Sequence, residues 1–172
     1  MIPQYKNPWF QVVKDGKYHY LVEDGSNNGA IILALVKKRF VFVRVNRPAH
    51  SMDLVEAPRG YGHNGESSEA CAIRELFEET GHKFELSDLD KIGKIRPNSA
   101  ILSSIIPVYL IESDGNDPIK ESDNEVSSVV YIPAKDIYDE VFKGNITDGC
   151  TLSALALYWS RNRNNNCSHV DA

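Results

Sequence analysis

Glu75, Glu78 and Glu79 stand at i, i+3 and i+4 inside the segment Ser67 to Gly81. At about 100° per residue they fall within one quadrant of a helix surface. Three carboxylates held together repel one another even in solvent, so the arrangement calls for a cation. Mg²⁺ and Mn²⁺ suit it, because these hard ions prefer carboxylate oxygen and keep positions open for substrate phosphates. A plain solvated acidic face with Arg74 as its counter-ion would use the same residues, and the flanking chain must decide. Ala70, Ile73, Phe77 and, less centrally, Leu76 gather on the opposite side, giving the helix a stripe to bury.

From Gly60 to His82 the chain reads GYGHNGESSEACAIRELFEETGH. Gly60, Glu66, Arg74, Glu75, Leu76, Glu78, Glu79 and Gly81 match the Nudix box; only His82 departs, where the box prefers an aliphatic residue. The chain therefore resembles a Nudix hydrolase. The resemblance implies an α/β (α+β) fold, the Nudix α/β/α sandwich with a mixed sheet. It also implies water attack on a phosphorus of a nucleoside diphosphate linked to another moiety, with Mg²⁺ or Mn²⁺ as cofactor. By resemblance Glu75, Glu78 and Glu79 are metal ligands, the backbone carbonyl of Arg59 adds another, and Glu66, Arg74 and Gly60 hold the loop and helix in place. The catalytic set it implies is Glu75 and Glu79 together with a loop glutamate as base, Glu125 first and Glu121 second, with Glu75 able to assist.

Phe42 to Ala49 followed by Leu54 to Gly60 resembles the strand and "ELPAG" approach of ADP-ribose pyrophosphatases and nucleotide-sugar relatives. Pro97, 15 residues beyond His82, matches a proline of the ADP-ribose-cleaving members, and Gly144 to Leu155 resembles their closing helix. The similarity spans roughly residues 30–160. It implies ADP-ribose or a related nucleoside diphosphate sugar as substrate, cleaved to a nucleoside monophosphate and a sugar phosphate. Diadenosine polyphosphates, GDP-mannose, NADH or flavin dinucleotide stay open as substrates, as does a non-catalytic nucleotide-sensing module. Arg44 and Arg47 are candidates to grip phosphate bidentately, one of them being expected in solvent or in a structural ion pair. Glu56 and Pro97 complete the expected substrate-binding set. Tyr5, Trp9, Phe10 and Tyr18 are candidates to stack a purine, with core packing the commoner fate of such residues. A homodimer that exchanges an N-terminal sheet is implied by the same branch.

The elements that must position these groups follow from pattern. Trp9 to Val13 and Tyr18 to Val22 flank Asp15-Gly16, a hairpin signal. Gly25 to Gly29 reads as a loop, and Ala30 to Val36 and Phe40 to Val45, joined by Lys37-Lys38-Arg39, as a second hairpin buried at least in part on both faces. Ser67 or Ser68 caps the acidic helix, and Gly81 closes it. Ser103 to Glu112 and Val126 to Ile132 have strand composition, Ala134 to Phe142 and Thr147 to Trp159 read as helices, and Arg161 to Ala172 as a frayed tail. One domain over 1–172 is expected, with residues 1–29 as an N-terminal β-hairpin appendage.

Composition sets the outer limits. A formal charge of -5 over 172 residues offers no global attraction for nucleic acid or anionic membrane. The longest apolar run, Ala30 to Val36, is far short of the roughly 20 residues of a spanning helix, and Met1-Ile2-Pro3-Gln4 lacks the basic start of a secretory signal. A cytoplasmic protein is expected. Cys71, Cys150 and Cys167 show neither paired spacing nor even number, against a disulfide framework or thiolate zinc site.

Overall fold

In the computed structural model, residues 1–115, 117–119 and 126–167 are described, with side chains described as far as residue 163. A mixed sheet is built around β4 (Ala30–Val36), whose seven residues are almost all buried. Its neighbours are β5 (Arg39–Arg47) on one side and β9 (Ile106–Ser113) on the other. Beyond them lie β10 (Ser128–Pro133) next to β5 and β8 (Asp90–Ile95) next to β9. The pair β4 and β9 runs parallel; the other pairs are antiparallel. Two short strands extend the sheet, β6 (Met52–Glu56) on β5 and β7 (Arg59–Gly60) on β4.

Alternation along the strands separates two layers, because successive side chains point to opposite faces. Ile31, Leu33, Phe40, Phe42, Val108 and Leu110 face one way and pack with Ile137 of α2 (Ile137–Phe142) and Ala154 and Leu155 of α3 (Gly149–Cys167). Ala30, Ile32, Ala34, Val41, Tyr109 and Ile111 face the other way, against Cys71, Ala72 and Leu76 of α1 (Ser68–Thr80). The result is the expected α/β/α sandwich with a mixed sheet. Among the described residues no helix is long and apolar enough to cross a membrane.

A separate three-stranded sheet precedes it: β1 (Ile2–Lys6), β2 (Phe10–Asp15) and β3 (Tyr18–Glu23). The expected hairpin is its β2–β3 pair, turned at Gly16 with φ of 58°. β3 is tied to the rest through Leu21, whose N–H donates to Ile101 O (2.7 Å) and whose carbonyl accepts from Ser103 N–H (3.0 Å).

Several boundaries differ from the sequence expectation for identifiable reasons. β9 starts at Ile106 instead of Ser103, because Ser103 is engaged with Leu21 and Ser104 hydrogen-bonds Glu23. The β4–β5 turn uses only Lys37 and Lys38, both at positive φ, and Arg39 already belongs to the strand. α2 starts at Ile137, since Ala134 N–H is drawn to Lys38 O and Asp136 N–H closes a turn on Pro133 O. The tail expected to fray from Arg161 is helical to Cys167, with Arg161 ion-paired to Asp90 of β8. Residues 168–172 lie outside the described residues.

Candidate active site

Ser67, not Ser68, caps α1: its hydroxyl accepts from Ala70 N–H at 3.1 Å. At the other end Gly81 takes φ of 74° and donates to Phe77 O. The buried stripe runs through Ala72 and Leu76, rotated from the expected Ile73–Phe77 centre, and this turn of the helix aims Glu75 and Glu79 at β7. His82 fits its unusual place because it is fully buried with a partner. Its Nε2 lies 3.1 Å from Tyr131 Oη, and its ring stacks on Phe84.

Glu79 is only 8% exposed, and its carboxylate accepts Arg59 N–H at 3.2 Å. The Glu75 carboxylate occupies the space where a side chain on Gly60 would be, 2.1 Å from an added Cβ. The two acids therefore meet the same dipeptide, Arg59-Gly60, from one helix. Glu78 is more open, its side chain 41% exposed. Among these acids lies Arg74. Its guanidinium clasps both oxygens of Glu66 (2.9 Å each) and donates to Glu75 (2.7 Å), Glu78 (3.0 Å) and the carbonyl of Tyr61 (3.0 Å). The hydrogen bonds to Glu66, reinforced by Glu75 and Glu78 and opposed by burial, raise its pKa further, so it stays charged. Among the described residues no group of three or more acidic, imidazole or thiol side chains is gathered tightly enough to hold an ion by itself. A protein cation supplies the charge that this acidic face calls for.

Beside α1 a second group of charges forms. Arg47 donates through Nε and Nη2 to the two oxygens of Glu56 (2.8 and 2.6 Å), and Arg59 adds Nη2 and Nε on Glu56 Oε2 (2.8 and 3.2 Å). Glu56 is 1% exposed. Burial would push its carboxyl up, but the Arg47 hydrogen bond and the charges of both arginines outweigh it and hold the pKa below the ordinary value. Glu56 and Arg47 were expected to touch substrate; here they are ion-paired, with Glu56 underneath. Arg44 is half-buried on β5, and Pro97 is exposed in the turn after β8. Tyr5 and Tyr18 are exposed on the N-terminal sheet and Trp9 in the connection between β1 and β2, while Phe10 is half-buried against Tyr5. Glu121 and Glu125 lie outside the described residues.

Two positions were not read from sequence. Asp148 caps α3, accepting Thr151 N–H and Oγ (2.8 Å each), and Thr151 Oγ accepts Ala57 N–H, which fixes the strand carrying Arg59. The Asp-Gly-x-Thr spacing is a cap signal that would have found it. Glu23 accepts Tyr61 Oη (2.8 Å) and Ser104 Oγ (2.5 Å), tying β3 to the loop before α1. No local pattern announces a contact across 38 residues. A concavity of about 700 Å³ lies elsewhere, between α2 and α3, lined by Tyr138, Tyr158 and Trp159.

Comparison with known proteins bears on this geometry. The model of the NUDIX domain matches residues 25–153. The chain belongs to the Nudix family. It is 30% identical over 101 residues to an ADP-sugar pyrophosphatase of Mus musculus, an alignment covering 56% of the chain. It spans about half the length of that relative, 46%. The crystal structure of an ADP compounds hydrolase superposes with a TM-score of 0.76 at 18% identity, covering 95% of the chain and 92% of its own, a likeness of fold.

Nudix hydrolases generally use divalent metal ions, and the donor types on this face suit one, although among the described residues the three carboxylates are not gathered around a common point. The donors are hard carboxylate oxygens, Gly60 leaves room for one of them, and a guanidinium already spans the set. Two consequences are measurable. Gly60→Ala would drive its Cβ into the Glu75 carboxylate, so activity should fall at least about tenfold, with the melting temperature changed little because only a side-chain end must move. Glu66 has its pKa lowered from 4.5 to about 2, chiefly by Arg74 hydrogen bonds against burial, helped by His63 N–H. A depressed carboxylate stabilises above its unfolded value and loses that stabilisation as pH falls from 4.5 towards 2. Thermal melts across this window should show Glu66→Gln with a shallower pH dependence than wild type.

Proposed function

We propose that the chain is a divalent-metal-dependent pyrophosphohydrolase that cleaves ADP-ribose or a related nucleoside diphosphate sugar to a nucleoside monophosphate and a sugar phosphate. The observation that carries the reading is the convergence of Glu75 and Glu79 on Arg59-Gly60, inside a Nudix box. The names of the two relatives, an ADP-sugar pyrophosphatase and an ADP compounds hydrolase, support the choice of substrate.

Glu75, Glu78, Glu79 and the Arg59 carbonyl would hold Mg²⁺ or Mn²⁺. When bound, the ion neutralises diphosphate charge and acidifies a water. Arg74, held by Glu66, orients Glu75 and Glu78 between turnovers. Glu125, or failing it Glu121, takes the proton of the attacking water as general base. Water adds to one phosphorus, the bridging P–O bond breaks, and each product leaves with one phosphate. Arg44 and Arg47 lie on β5 with side chains partly open and would meet the anionic substrate. A homodimer is the assembly we infer, supported by the exposed Tyr5 and Tyr18 of the N-terminal sheet and Trp9 between its strands.

A panel of ADP-ribose, GDP-mannose, UDP-glucose, diadenosine polyphosphates, NADH and dGTP with Mg²⁺ tests the assignment. ADP-ribose, or another nucleoside diphosphate sugar, is expected to give the highest kcat/KM. Fastest turnover of a dinucleoside polyphosphate would move the chain to another Nudix branch, and ligand-induced stabilisation without hydrolysis of any compound would make it a sensing module.

A further inference from the structure

Arg59 stands where the ELPAG pattern has alanine, and its side chain does something an alanine could not. Its Nε and Nη2 converge with those of Arg47 on one carboxylate, Glu56, that is 1% exposed. Asp148 adds a looser ion pair to the same Arg59 Nη2, from Oδ1 at 3.7 Å, with its side chain 12% exposed. The guanidinium side chains themselves are 29% and 37% exposed for Arg59 and Arg47. Neither Nη1 has a hydrogen-bond partner among the described residues, and among these no buried polar side-chain atom lacks one, so both Nη1 groups meet solvent.

The formal charges of the four side chains cancel, but their exposures differ. The two carboxylates, 1% and 12% exposed, are more buried than the two arginine side chains, so an arriving anion meets the donors more readily than the acids. The braces also fix both guanidiniums in advance, which removes the ordering entropy that usually weakens arginine contacts. The pair is placed next to the acidic face: the Arg59 main chain donates to Glu79.

We propose that the Arg59 side chain is a substrate-binding group, which with Arg47 forms a preset guanidinium fork for a phosphoryl oxygen of the substrate diphosphate. The inference rests on the proposed pyrophosphohydrolase function for the identity of its ligand. It assigns Arg59 two separate duties, the carbonyl towards metal and the side chain towards phosphate. Glu56 and Asp148 act through the arginines as positioning residues.

Titration of ADP into the whole chain in EDTA, by calorimetry, reads the fork without metal or turnover. Arg59→Ala should weaken ADP binding about tenfold or more, since a charge-assisted hydrogen bond is lost, and Arg59→Lys should recover only part because the fork geometry is gone. Arg47 still pairs Glu56 in both variants, so the fold should survive, and circular dichroism checks this. ADP affinity unchanged in a folded Arg59→Ala would overturn the proposal and leave Arg59 as a structural brace. Reduced ADP binding without hydrolysis of any nucleoside diphosphate sugar would uphold the fork while sinking the enzymatic reading. Active ADP-ribose hydrolysis with kcat/KM unaltered by Arg59→Ala would do the reverse.

Discussion

On the proposed function, Glu79→Gln should lower kcat at least about 100-fold, because its carboxylate is there assigned to the metal and even outer partners of such ligands are worth 10–100-fold. The substitution is close to isosteric. The amide oxygen can still accept Arg59 N–H, so the helix-to-strand contact persists and stability should stay within about 1 kcal/mol of wild type. What disappears is the negative charge of a group only 8% exposed. Steady-state kinetics beside a thermal melt separates the two effects. Equal loss of activity and of folded protein would assign Glu79 to architecture instead of chemistry.

Glu56→Gln should be the most destabilising of the conservative changes. Two guanidiniums lean on this one buried carboxylate. Breaking a buried ion pair by removing one partner costs about 3–5 kcal/mol, and the partial exposure of both arginines reduces this to roughly 2–3 kcal/mol. For a domain of this size that is a fall in melting temperature of about 4–12 °C. The wild-type margin should itself shrink in acid, because a carboxyl whose pKa is lowered in the fold contributes stability above its unfolded value and loses it as the pH falls. Differential scanning calorimetry of both proteins at neutral and acidic pH would test this; a variant melting like wild type at neutral pH would show that the arginines do not depend on Glu56.

What was legible in the sequence follows from how local each signal is. The acidic helix was readable because box, cap and closing glycine all lie between Gly60 and Gly81, and the central hairpin because β-branched runs mark strands buried on both faces. β1, β6, β7 and β8 were missed: they are short or mostly exposed, and pairing with a distant strand, not their own pattern, makes them strands. The site shows the same division. That Glu75, Glu78 and Glu79 share a face follows from spacing, but Arg74 touching three glutamates at once, and Arg59 joining Arg47 on Glu56, depends on where the turn between β6 and α1 comes to rest. His82 looked like a flaw in the box and is a packed residue whose partner, Tyr131, lies 49 positions away.

The most direct test of the account is product analysis of ADP-ribose incubated with the chain and Mg²⁺, run in parallel with EDTA. Equal amounts of AMP and ribose 5-phosphate, formed only with the metal, are the predicted result. Intact ADP-ribose in both reactions, or the same products at the same rate in EDTA, would contradict it.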